Sequence, residues 1–235
     1  IHQPNFFPWL PTLLKESSSS VHVILDHVEL SKNGWTNRCE YFSGKNKNYL
    51  TLPVKSSDTS LPINKVRTAG DIRSFLKIKR TLDSFSSRLP GKKILSHLSE
   101  EVFEKVKTTE SLCDVNVFLH QRLREILGIK TKLVKSSDMF LPGDQKNSAL
   151  IEQIFQFLEG SRYLTGSGGY QYLSTEFLKK CVKVTPNDLR ISKEESNVLN
   201  FLLIHGNSSS ERFEEIRNDF IRLGSVSYTH LTLPT

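Results

Sequence analysis

The sequence predicts an α/β fold: a mainly parallel sheet with crossover helices on both faces, an inserted β-hairpin and a helical middle segment. Three observations lead there. Residues 21–30 form a nearly continuous apolar run rich in β-branched side chains, the pattern of a strand buried on both faces. From residue 129 onward, short apolar runs alternate with helical patterns, the order that crossovers between parallel strands produce. In between, apolar side chains recur at intervals of three and four, the period of helices.

Residues 1–11 hold Pro4, Pro8 and Pro11 together with His2, Gln3, Asn5 and three aromatic rings. Proline fixes φ and removes a backbone donor, so neither a helix nor a central strand can run through this segment. It is too apolar for a flexible tail. It reads as a rigid loop leaving a strand of which Ile1 remains, with an extended arm packed on the core as the alternative. A helical turn at Leu13 and Leu14 and a loop at 16–20 precede the apolar run. Asn33-Gly34 signals a turn, after which 35–42 and 49–55 pair as a hairpin across 43–48.

Asp71 is a suitable N-cap for a helix reaching Pro90-Gly91; a second helix covers 94–106, and a third spans 109–127 with Gly128 as its stop. Asn116 and His120, four apart on the third helix, are expected to be satisfied polar groups near the core rather than a ligand pair. The strand at 129–135 ends in Ser136-Ser137-Asp138. A helix at 148–158 closes at Gly160, followed by strand 162–165, helix 170–180, strand 182–184, and helices at 194–204 and 211–222.

The 32 basic and 25 acidic residues leave a formal charge of +7, which suits an anionic partner. The lysines are scattered singly rather than drawn into a stripe with interleaved aromatics, so nucleic acid is not expected; a small phosphate-bearing substrate fits the charge, and a merely solvated basic surface is the commoner explanation. No run of about eighteen apolar residues is present, and no membrane span is expected. Cys39, Cys113 and Cys181 are odd in number and widely spaced, fitting neither a disulfide framework nor a zinc site, and suggesting a reducing cytoplasm. The histidines show no metal-binding spacing, so no metal is expected, and the sequence names no cofactor. Residues 226–235 read, codon for codon, as a translated sequencing adapter, so residues 1–225 are expected to form one domain with a tail that lacks packing.

Several residues could carry chemistry. His2 has the pKa range for proton transfer near neutrality, although a lone histidine in such a loop also serves as a structural hydrogen-bonder. Asp26, followed by His27, lies at the carboxyl end of the first strand. Open α/β sheets place ligands there, though a local turn is equally compatible. Ser136, with Ser137 beside it, ends another strand, and His2, Asp26 and Ser136 are expected to cluster, with Arg38 facing the glycine-rich turn across the same cleft. Arg38 offers a planar fork for carboxylate or phosphate. Gly166, Ser167, Gly168 and Gly169 lie between a strand and a helix, where backbone N–H groups can converge on an anion, or where a tight turn simply needs glycine. An anion site there would make a side chain at Gly168 block close approach and add strain if φ is positive. The loop is neither a dinucleotide nor a Walker A motif and lacks the phosphate-binding lysine.

The string His2-Gln3-Pro4-Asn5-Phe6-Phe7-Pro8-Trp9-Leu10 resembles the N-terminal signature of the WbqC-like family. Asp26, Lys32, Trp35, Asn37, Arg38 and Leu52-Pro53-Val54 fall in register with it, as does the glycine-rich segment with its following Tyr172-Leu173. Members commonly carry a second acidic residue after Asp26, where this chain has His27. The resemblance implies surface-polysaccharide (O-antigen) biosynthesis. On that basis His2 and Asp26 are the candidate catalytic residues. Gln3, Asn5, Lys32, Asn37, Arg38, Ser136, Ser137, Gly166, Ser167, Gly168, Gly169 and Tyr172 are the candidate substrate-binding residues. The expected activity is group transfer to or from an activated sugar or other phosphate-bearing substrate. A non-catalytic nucleotide-sugar-binding or assembly protein and a nucleotidylyltransferase-like enzyme are the alternatives.

Overall fold

The proline-rich N-terminal segment forms no regular strand and meets the end of the first one through a single isolated bridge. His2 bridges Ile24 in parallel, with His2 N–H donating to the Val23 carbonyl at 2.9 Å and Leu25 N–H to the His2 carbonyl at 2.8 Å. A computed structural model describes residues 1–69, 72–85, 88–143, 145–184 and 191–226. Asp71 and the adapter-like residues beyond 226 lie outside them.

Helix α1 (Leu10–Ser17) starts where Pro11 can sit in the first turn, a position whose N–H is not needed. Strand β1 (Val21–Ile24) follows. The apolar run does not remain a strand to residue 30. Val28 and Leu30 instead bond to the facing loop, through Ile63 N–H to the Val28 carbonyl at 2.9 Å and Leu30 N–H to the Leu61 carbonyl at 3.1 Å. Strands β2 (Arg38–Ser43) and β3 (Asn46–Thr51) form the expected hairpin, closed by Gly44 at φ 58°, where glycine avoids a Cβ clash.

Helices α2 (Ile72–Asp83), α3 (Lys92–Thr108) and α4 (Leu112–Leu127) follow. The cap of α4 is Ser111, whose hydroxyl accepts from Asp114 N–H, and Gly128 stops it at φ 71°. Leu112, Val115, Leu119, Leu123 and Leu127 of α4 are all buried, each worth roughly 1.5–3 kcal/mol of transfer free energy.

Strand β4 (Lys132–Lys135) pairs in parallel with β1, Ile24 opposite Lys135. Helix α5 (Asn147–Phe157), strand β5 (Tyr163–Gly166), helices α6 (Ser167–Tyr170) and α7 (Thr175–Leu178), strand β6 (Cys181–Val184), and helices α8 (Val198–His205) and α9 (Ser209–Val226) complete the order. The helix expected at 170–180 is thus two single turns. Ser174 restarts it by accepting from Phe177 N–H, and the glycines themselves are taken into α6.

The mixed α/β class holds, but the mainly parallel sheet does not. The described strands make three two-stranded ladders, β1 with β4 and β5 with β6 parallel, β2 with β3 antiparallel. Helices take the space that further strands would need. The larger apolar cluster joins the N-terminal loop and α1 to the hairpin and to α2, α3, α4, α8 and α9. A smaller cluster packs Leu150, Ile151, Ile154 and Phe155 of α5 with Val23 of β1 and Phe177 of α7.

Candidate functional site

The parallel pairing of β1 with β4 brings Asp26 to Ser136 and Ser137. The buried Asp26 carboxylate accepts from Ser136 Oγ at 3.1 Å, Ser137 N–H at 2.9 Å and Ser137 Oγ at 2.7 Å. Ser136 Oγ also accepts from Asp26 N–H at 3.2 Å and lies 2.6 Å from His27 Nδ1. This is not a nucleophile triad, because the carboxylate meets the hydroxyl directly rather than orienting the imidazole. Three bonds committed to one turn make it a clasp between strand ends.

His2, whose carbonyl accepts from Leu25 N–H next to Asp26, lies on the wall between two cavities. The smaller, about 90 Å³, is also lined by Asn5, Phe7, Trp35, Arg38 and Glu40. Its polar groups are incompletely used. Arg38 Nε is buried without a hydrogen-bond partner, and the Asn5 amide has none among the described residues. Arg38 Nη2 donates to the Asn33 carbonyl at 2.5 Å, and the guanidinium stacks 5.2 Å from the Trp35 ring and 5.3 Å from the Tyr49 ring. Phe7 sits beside it at φ 48°, a costly left-handed conformation for an aromatic residue.

The larger cavity, about 790 Å³, is of ligand size. Lys15, Arg162 and Lys183 line it against one acidic residue, Glu159, together with His2, His22 and Ser18 to Ser20. The Lys15 ammonium has no hydrogen-bond or ion-pair partner among the described residues, and burial lowers its pKa. Burial, then the Lys15 charge, pushes the His2 pKa down to about 4, so the ring is neutral at pH 7. His2 Nδ1 lies 3.1 Å from the Gln3 carbonyl. A carbonyl only accepts, so the proton sits on Nδ1 and Nε2 keeps its lone pair.

The glycine-rich stretch borders the larger cavity through Leu164, not the Arg38 pocket. Gly168 has no left-handed φ and a Cβ there would meet open space, so the expected strain is absent. Gly169 is the crowded position, where a Cβ would collide with Thr165 Oγ1. The cation that the motif itself lacks comes from α1. Lys15 Nζ is 3.6 Å from the site of a Cβ on Gly166.

The remaining candidates are dispersed. Gln3 Oε1 accepts from Thr36 Oγ1 at 3.3 Å, and Asn37 Nδ2 donates to the Leu52 carbonyl at 3.0 Å, tying down the backbone before β2. Lys32 and Tyr172 are exposed. Asn116 anchors the proline-rich segment, donating to the Pro4 carbonyl at 2.8 Å and the Thr36 carbonyl at 2.6 Å.

Sequence reading missed Lys15, Glu16 and His22. The signal available was a Lys-Glu pair directly after Leu13-Leu14, where the loop expected at 16–20 concealed a helix end. Glu16 is fully buried, with His120 Nε2 at 2.7 Å and Arg124 Nε at 2.8 Å.

The fold and the cavities together define an α/β protein with a cavity of ligand size whose lining has more cationic than acidic side chains. The chain belongs to the WbqC-like protein family, whose model matches residues 3–194. No curated protein and no solved structure matches the sequence. Among the described residues, no helix is long and apolar enough to cross a membrane.

Proposed function

We propose that this WbqC-like protein transfers a group to or from an activated sugar or another phosphate-bearing substrate in surface-polysaccharide biosynthesis, with the anionic part of the substrate in the larger cavity. The observation that carries this reading is Lys15, a cation without a protein partner inside a cavity where cationic side chains outnumber acidic ones. An unpaired charge withdrawn from water is costly, and a phosphate supplies the missing counter-charge. His2, neutral and shared by both cavities, is the proton-transfer group. Arg38 and Asn5 hold a second polar part of the substrate in the smaller pocket. Asp26 acts as a positioning residue by joining the ends of β1 and β4.

The test is calorimetric titration with a panel of nucleotide sugars, beside thermal melts. Lys15→Met should weaken binding at least 10-fold while leaving the melting temperature unchanged or raised, since the unpaired buried charge is gone. Arg38→Lys should weaken it less, through loss of the planar fork. Parent-like binding by Lys15→Met sinks the reading.

One observation favours the non-catalytic alternative: the Asp26 carboxylate commits three hydrogen bonds to Ser136 and Ser137 and none to His2, which has no carboxylate partner among the described residues. In an enzyme, His2→Ala abolishes product while binding persists. A parent chain that binds nucleotide sugar but yields no product with any acceptor favours the binding protein.

A further inference from the structure

We propose that Glu16, His22 and His120 bind one divalent transition-metal ion, zinc foremost, with an open coordination position towards the larger cavity on the His22 side. The three come from different elements: the last turn of α1, strand β1 and helix α4. Their relative exposures are 0%, 5% and 3%, and one potential ligand atom of each lies within 4.8 Å of the others. The imidazoles of His22 and His120 stack with centroids 5.7 Å apart and planes inclined by 18°.

The residue that distinguishes this cluster from a closed ion network is His22. Glu16 and His120 are bonded to each other at 2.7 Å, and Arg124 Nε stands 2.8 Å from the second oxygen of Glu16. Neither ring nitrogen of His22 has a hydrogen bond among the described residues, although the side chain is buried. Buried polar groups in proteins are mostly paired, so an unpaired imidazole at the cavity edge points to a partner that the protein does not itself provide.

Two neutral imidazoles and one carboxylate form a ligand set suited to zinc, with a fourth position left for water or substrate. Bonds of about 2.0–2.2 Å to each ligand require the widest pair to draw together and His120 to carry its proton on Nδ1. Arg124 then becomes the outer partner that orients the carboxylate. The spacing of residues 16, 22 and 120 matches no sequence motif, which is why the histidine pattern showed nothing.

The site stands on geometry independent of the substrate reading, and one experiment separates them. Metal-stripped full chain is titrated with zinc chloride against a chromogenic chelator, and metal content is measured after dialysis. The expected result is one zinc per chain and a melting temperature raised by zinc. His22→Gln should weaken binding at least ~10-fold and lose the zinc-dependent rise while keeping a parent-like melt without metal. Lys15→Met should bind zinc as tightly as the parent or more tightly, even where it has lost nucleotide sugar. Zinc removed fully by dialysis, or equal zinc affinity in the parent and His22→Gln, overturns the proposal.

Discussion

At the scale of single residues, His2 makes a prediction with a definite sign. Its folded-state pKa of about 4 lies below the ordinary 6.5, mainly through burial and then through Lys15 on α1, with His120 on α4 adding to the depression. Below pH 6.5 the unfolded chain therefore takes up the proton first. Stability attributable to His2 is complete above that pH, falls as pH drops towards 4, and is lost by at most about 1.4 kcal/mol per pH unit on the way. His2→Asn should flatten this part of the acid limb in melts recorded from pH 7 to 4. His22 contributes with the same sign, so the effect is read as a difference between parent and variant; parallel curves contradict the assignment.

The glycines of α6 divide at the same scale. Gly168→Ala meets open space and should be neutral or stabilising by up to about 1 kcal/mol. Gly169→Ala forces Thr165 aside and should cost about 1–3 kcal/mol in denaturant titrations. If the order is reversed, the backbone of α6 differs from that described.

At the scale of elements, helix α8 is held to the hairpin by side chains that behave like backbone. Asn200 Oδ1 accepts from Phe42 N–H at 2.8 Å and its Nδ2 donates to the Phe42 carbonyl at 2.9 Å, completing one edge position of β2. Asn197 caps α8 through Leu199 N–H and Asn200 N–H, and its Nδ2 reaches the Glu40 carbonyl. This is how the helix blocks the sheet from growing on that edge. Asn200→Ala leaves two buried backbone groups unpaired and should lose about 2–4 kcal/mol. Loss of less than about 0.5 kcal/mol would mean that water replaces the amide. The hairpin itself was legible in the sequence because its turn lies within one short segment. Its clasp was not, because Asn200 is 158 positions from Phe42.

At the scale of the whole molecule, the two apolar clusters reach Phe220 among the described residues. Residues 226–235, read from sequence as translated adapter, should be removable without change in melting temperature, as checked by comparing the full and shortened chains. A clear drop would show them to be native sequence with a packing role. The same scale contains the proposed function, since the cavity wall combines α1, β1, β5, β6 and α9.

The sequence by itself determined what short-range physics controls. Periodicity and a left-handed glycine at residue 128 set the course and end of α4, a glycine turn set the β2–β3 hairpin, and apolar runs placed β1 and β4 so that Asp26 meets Ser136. The signature residues also carried the family. Tertiary structure alone decided that the strands form three ladders instead of one sheet, because that outcome depends on which helices fill the space beside each edge. It also decided that Lys15 supplies the cation missing from the glycine-rich motif, and that Glu16 lies against His120, 104 positions away. Backbone preference acts over a few residues, whereas burial and ion pairing depend on which distant segments pack together. That packing places an unpaired lysine and an unpaired histidine on one cavity.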